Sequence, residues 1–134
     1  MKIQISTDYA IRILQYLHMH EDKEELHTAM KIAGAIDVTY PFFIKIANIL
    51  KKKGLINSVQ GRNGGYTLGQ PAHEISLYDV FVCIEGELLV NRCLEGRPCT
   101  KGKHKNCTLK EFLSEVQKDL VAKWSSQTIA DLAN

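Results

Sequence analysis

The stretch TYPFFIKIANILKKKGLINSVQGRNGGYTLGQP, Thr39 to Pro71, changes its hydrophobic period halfway along. In its first part Phe43, Ile46, Ala47 and Leu50 recur at helical spacing and fall on one face. Pro41 suits the first turn of a helix, where its missing N–H would have no intrahelical acceptor. Lys51, Lys52 and Lys53 lie where the helix dipole favours cations, and Gly54 is placed to cap the end. Beyond it, LINSV and YTL are short β-like runs around GRNGG, a turn expected to need positive φ at more than one position. A helix running into a small hairpin is the result, the second strand ending at Gly69-Gln70-Pro71.

Upstream, His27 or Thr28 can open a short helix whose Ala29, Ile32, Ala33 and Ile36 form a narrow apolar face. A turn at Asp37 and Thr39 joins it to the helix above, which makes a helix-turn-helix, and the hairpin that follows makes it winged. From Ser6 to about His20, Tyr9, Ala10, Ile11, Ile13, Leu14, Tyr16 and Leu17 predict a well-buried first helix with Ser6 or Thr7 as N-cap. Downstream, SLYDVFVCIEG predicts a helix with Leu77, Val80, Phe81 and Ile84 inward. The segment 91–107 has no periodicity and is expected to be a loop. From Thr108, Leu109, Phe112, Leu113, Val116, Leu120 and Trp124 lie on one stripe, of about 36 Å if the helix is unbroken at 1.5 Å per residue. A helix this long on a small domain is expected to pack against a second copy. The fold class is therefore mainly α with a small β-hairpin. A winged helix-turn-helix spans 1–75, and 76–134 carries a connecting helix, a cysteine loop (91–107) and a dimerisation helix (108–133).

The net charge of +2 conceals segregation. Residues 31–66 carry Lys31, Lys45, Lys51, Lys52, Lys53 and Arg62 against Asp37 alone, which suits a polyanion. On the third helix Thr39, Tyr40, Phe42, Lys45, Asn48 and Lys52 lie off the apolar face. They mix a hydroxyl, an aromatic, a cation and an amide, the repertoire for phosphate anchoring and base-edge contacts in a major groove. Arg62, with Asn63 and Gly64 beside it at the hairpin tip, suits a narrow minor groove. A winged helix reads few base pairs, so a homodimer on a near-palindromic site of double-stranded DNA is expected, with steep salt dependence. The N-terminus lacks a signal-peptide pattern and no apolar run reaches the length of a membrane span, so a cytoplasmic protein without a membrane partner is expected. No Ser/His/Asp set, paired carboxylates or phosphate loop is present, which argues against an enzyme.

STDYAIRIL at the start, GLINSVQGRNGGYTLGQP at the wing, ISLYDVFVCIEG after it and the cysteines before the last helix together resemble the bacterial winged-helix regulators that include IscR, NsrR and CymR. The resemblance spans nearly the whole chain. It implies a repressor-type regulator, a dimer held by the C-terminal helix and, in three-cysteine members, an iron-sulfur cluster controlling DNA binding in response to nitric oxide, redox or iron-sulfur status. Thr39, Pro41, Phe42 and Lys45 occupy positions where the family touches DNA. Of these Thr39 and Lys45 are the best suited, since Pro41 has no donor and Phe42 no hydrogen-bonding tip. Two positions depart from the family: Gln60 stands where an arginine often precedes the first wing glycine, and Ile44 stands where a polar or acidic residue helps reading in IscR.

Cys93 and Cys99 have five residues between them, Cys99 and Cys107 seven, wider than the pairs of zinc fingers. Arg92, Arg97, Lys101, Lys103 and Lys105 around them stabilise thiolates, which favours both metal binding and reaction with oxidants. A cluster, of the 2Fe-2S or 4Fe-4S type, would need a fourth ligand beyond the three cysteines. The position of the histidine used by IscR is Lys110 here; NsrR-like members use an acid near the partner's N-terminus, which corresponds to Asp8, and His104 is an alternative inside the loop. Cys83, among apolar residues, is expected to be a small buried hydrophobe. Two other readings stay open. One is a cluster-free thiol-redox or sulfur-status repressor using Cys93, Cys99 and Cys107; the other is a module regulated by a metabolic-enzyme partner, as in CymR-like members.

Overall fold

The computed structural model describes residues 2–21, 26–62, 64–96, 99 and 107–132. Helix α1 spans Ile5–Met19, α2 Ala29–Ala35 and α3 Tyr40–Lys52; strands β1 (Ile56–Val59) and β2 (Gly65–Leu68) form the hairpin. After a 3₁₀ turn at Ala72–Glu74 come α4 (Leu77–Glu85), a second 3₁₀ turn at Arg92–Glu95, α5 (Thr108–Ser126) and α6 (Ile129–Leu132). This is the mainly α winged helix-turn-helix with a small hairpin that the periodicity predicts. Among the described residues no single helix is long and apolar enough to cross a membrane.

The core is built on the predicted faces. Ala10, Ile13, Leu14 and Leu17 of α1 pack with Ile32, Ala33 and Ile36 of the α2 segment and with Phe43, Ile46, Ala47 and Leu50 of α3. α2 and α3 meet at 108°, within the range usual for two helices joined by a tight turn. Thr28 caps α2, its side chain accepting from Lys31 N at 3.2 Å. α3 ends with Leu55 N donating to Leu50 O and Gly54 N to Lys51 O, both at 3.0 Å, while Gly54 takes a left-handed φ of 75°. Ser76 and Asp79 form a reciprocal capping box at the start of α4.

Four expectations are corrected. The N-cap of α1 is Gln4, not Ser6 or Thr7; Thr7 is fully buried and its hydroxyl donates to Glu85. Within GRNGG, of its described residues, only Gly61 has positive φ. Gly64 and Gly65 are needed instead because a Cβ would lie 2.1 Å from Val59 O and 2.6 Å from His27 O. The 91–107 segment is not all loop, since Arg92–Glu95 forms a 3₁₀ turn capped by the Asn91 side chain. The C-terminal helix is not continuous over 108–133: it breaks at Gln127, which is extended. The break has a long-range cause. Leu77 N donates to Gln127 O at 2.8 Å and Ile129 N to Ile75 O at 2.9 Å, a short extended pairing that seats Ile129 in the core. Thr128 and Asp131 then cap α6 reciprocally. Val80 and Ile129 lie in one core cluster with α1 and α3, so the chain after residue 75 is not a separate packing unit.

Candidate nucleic-acid interface and cysteine site

The hairpin is anchored on the helix-turn-helix at two places. Tyr66 N donates to His27 O at 2.9 Å just ahead of α2, and Gly69 N to Leu55 O at 2.9 Å just past α3. The strands pair antiparallel from Ile56 opposite Leu68 to Val59 opposite Gly65. The Phe43 and Tyr66 rings meet edge-on at 5.4 Å, which joins the wing to the apolar face of α3. Burial, and secondarily Tyr40, push the Tyr66 phenol above its ordinary range.

Thr39, Tyr40 and Pro41 stand exposed at the N-terminal end of α3, Lys45, Asn48 and Lys52 are exposed along it, and Arg62 is exposed at the wing tip. Gly64 is half-buried beside it; Asn63 lies outside the described residues. Phe42 departs from the outward set: it is half-buried, its ring edge-on to Tyr9 at 5.6 Å. Ile44 likewise packs against the core.

Of the site cysteines, Cys93 is half-buried on the 3₁₀ turn and Cys107 half-buried at the N-cap of α5, where its side chain makes no capping bond. Cys99 is exposed, and all three thiols are free. The 3₁₀ turn lies against α5, and just ahead of it Val90 N donates to Gln117 Oε1 at 3.0 Å. His104 lies outside the described residues. Asp8 is in the first turn of α1, partly exposed, and pairs with Arg12 at 3.1 Å. Among the described residues of one chain, no three His, Cys, Asp or Glu side chains are grouped to hold a metal ion.

Two contacts here have no local sequence signal. Glu85, at the end of α4, accepts from Gln4 N at 3.2 Å and from the Thr7 hydroxyl, so that a carboxylate closes the N-terminus of α1 across 78 positions in sequence. His27, 5% exposed, stands at 3.2 Å from the Tyr16 hydroxyl through Nδ1 and is edge-on to the Tyr16 ring. On α5 no residue is buried, and Leu109 and Phe112 are 56% and 60% exposed.

A basic helix after a tight turn, an anchored wing and a partly exposed amphipathic helix define a winged-helix transcriptional regulator. The chain belongs to the Rrf2 family, described as "Iron-dependent Transcriptional regulator", whose model matches residues 3–134. Its relatives and family are regulators of transcription, not enzymes. The chain is 30% identical over 132 residues to the HTH-type transcriptional regulator NsrR of Shouchella clausii, covering 98% of this chain and 88% of that one. It is 38% identical over 95 residues to protein aau3 of Rhizobium meliloti, 71% of this chain and 60% of that protein's length. Among solved structures, the oxidised form of Staphylococcus aureus CymR is 25% identical, with a TM-score of 0.74 over 100% of this chain and 97% of that one. At lower identity the fold is shared with the global cysteine regulator CymR of B. subtilis (22%, TM-score 0.81, 99% and 96% covered). It is also shared with T. potens IscR (24%, TM-score 0.77, 98% and 85% covered).

Proposed function

We propose that the chain acts as a homodimer on a near-palindromic operator, and that an iron-sulfur cluster governs its affinity. Cys93, Cys99 and Cys107 would hold it, with Asp8 of the partner subunit as the fourth ligand. The observation that carries this reading is that Cys93, Cys99 and Cys107 are free thiols, Cys107 at the N-cap of α5 and Cys93 on the 3₁₀ turn packed against it, ahead of a helix whose Leu109 and Phe112 are exposed. The donor set fits such a group: three sulfurs in a basic segment, one of them at a helix N-terminus. When bound, the cluster supplies an iron whose carboxylate ligand exchanges more readily than a thiolate. α5, packed on its own chain only through its half-buried side, is the dimer face.

The chain's own residues supply the coupling. Asp8 shares the first turn of α1 with Thr7, which Glu85 fastens to α4, and it adjoins Tyr9, whose ring meets Phe42 at the start of α3. A change in what Asp8 binds is thus passed through Tyr9 and Phe42 to the end of α3 that enters the groove. Thr39, Tyr40, Pro41 and Lys45 would make the major-groove contacts, and Arg62, Asn63 and Gly64 the wing contacts.

Anaerobic isolation followed by iron and sulfide assays and absorbance spectroscopy tests the cluster: coloured protein with both elements is expected, and colourless protein lacking them overturns it. Normal loading in Asp8→Ala would overturn only the fourth ligand. A second reading, thiol-redox control, is favoured by the exposure of Cys99 and by the likeness to a CymR solved in an oxidised form. Peptide mass spectrometry after peroxide treatment of protein isolated without iron or sulfide tests it, a disulfide among Cys93, Cys99 and Cys107 being expected.

A further inference from the structure

Where α2 begins and α3 begins, the surface opens into a cleft of about 480 Å³ lined by Thr28, Ala29, Met30 and Tyr40. Its two large side chains are unusually bare: Met30 is 74% exposed and Tyr40 51%. Met30 lies off the Ile32–Ala33–Ile36 face that α2 turns to the core, so core packing does not explain it. Single exposed apolar residues are ordinary, but here two from different helices line one depression.

The surroundings select the occupant. Exposed Lys45 lies further along α3, so a polyanion held by that helix would bring its bases near an apolar floor. The N-terminal end of a recognition helix is the end that reaches base edges in the major groove. There each thymine presents a 5-methyl group, the one apolar feature of the groove's pattern. A flexible, polarisable thioether and a phenol ring suit that methyl, and the Tyr40 hydroxyl keeps a polar tip for the sugar-phosphate edge.

We propose that the Met30–Tyr40 cleft reads a thymine in each half-site of the operator by packing Met30 and Tyr40 against its 5-methyl group. This rests on the DNA-binding reading above and adds Met30, on α2, to the specificity-determining residues.

Selection of binding sites from random duplexes with the full-length protein, followed by replacement of each thymine with uracil, tests it, since the two bases differ only in that methyl. Wild-type protein is expected to lose about fourfold in affinity at one position per half-site, the worth of one buried methyl-sized group, and about fifteenfold with both replaced. Met30→Ala and Tyr40→Ala should each bind the thymine and uracil duplexes equally. Wild-type affinity indifferent to uracil at every position would overturn the proposal, as would discrimination retained in both variants. If no duplex is selected at all, the DNA-binding reading itself falls, a separate and distinguishable failure.

Discussion

The helix-turn-helix with its wing and the arm formed by α5 with the described cysteines ahead of it are built on opposite principles. In the first, every apolar position of α3 that the helical period singles out is buried: Phe43, Ile46, Ala47 and Leu50 are at most 1% exposed. In α5 the same kind of stripe exists, yet no residue is buried. The contrast teaches that an amphipathic pattern reports a face seeking cover and not who provides it. Within one chain the apolar stripe of α3 is fully covered, whereas Leu109 and Phe112 at the start of α5 stay exposed and the three thiols stay free.

The largest effect should separate these two regions directly. Phe43→Ala empties a fully buried site and is expected to destabilise the protein by about 3–5 kcal/mol in urea unfolding. Phe112→Ala removes a side chain 60% exposed in the single chain. Its unfolding at concentrations where the protein is monomeric should shift by no more than about 0.5 kcal/mol. Sedimentation at higher concentration should instead show a weakened dimer. Equal losses for the two variants at low concentration would break the contrast.

The thiols offer a second separation. Cys83, on α4, packs against the head: its Sγ points at Ile49 O, 3.8 Å away, and burial pushes its pKa up, with Lys53 drawing it partly back. Fewer thiolates form at neutral pH when a thiol's pKa is raised, and the thiolate is the reactive species. Alkylation of native metal-free protein should therefore modify Cys99 at least about tenfold faster than Cys83, as burial and a raised pKa act together. The Cys83 rate should go on climbing at pH values above the ordinary thiol range. The linkage has a fixed sign. Because the folded pKa lies above the unfolded one, Cys83 leaves stability untouched below the ordinary thiol pKa, and stability falls as the pH rises through and above it. A Cys83→Ala variant should lose that alkaline decline. Equal alkylation rates by peptide mass spectrometry would show Cys83 to be as accessible as the arm.

What was legible in the sequence was whatever a short window encodes. The period of α3, the cap at Thr28 and the β-like runs on either side of GRNGG all depend on neighbours within a few positions, and all are present. The misses are long-range. Nothing in TLKEFLSEVQKDLVAKWSSQTIADLAN marks Gln127 as extended, because the pairing that extends it lies at Ile75–Leu77. The Glu85 clamp on Thr7 is hidden for the same reason. The wing glycines were recognisable as required, but for the wrong cause: close approach of His27 and Val59 backbone, not mainly positive φ. At the candidate site, cysteine spacing was readable, whereas the depth of Phe42 was not, since it depends on Tyr9 arriving from α1.

The smallest effect asks whether local geometry or packing sets the head's stability. α2 and α3 end in the same way. Val38 N donates to Ala33 O at 2.9 Å and Asp37 N to Gly34 O at 3.4 Å, matching the bonds of Leu55 and Gly54 after α3. The left-handed residue is Gly54 at φ 75° in one case and Asp37 at φ 56° in the other. A left-handed conformation costs a residue with a Cβ about 1–2 kcal/mol, less for aspartate, and glycine avoids it while making the unfolded chain about 0.4–1 kcal/mol harder to order. Asp37→Gly should therefore stabilise by about 0.5 kcal/mol, seen as a higher urea midpoint with an unchanged slope. Gly54→Ala should destabilise by about 1 kcal/mol, and because a Cβ at Gly54 meets nothing within 4 Å, that loss would be conformational alone. If Asp37→Gly lowers the midpoint instead, then Asp37 contributes an interaction at the turn between the two helices that outweighs its backbone strain, and the two helix ends are not equivalent.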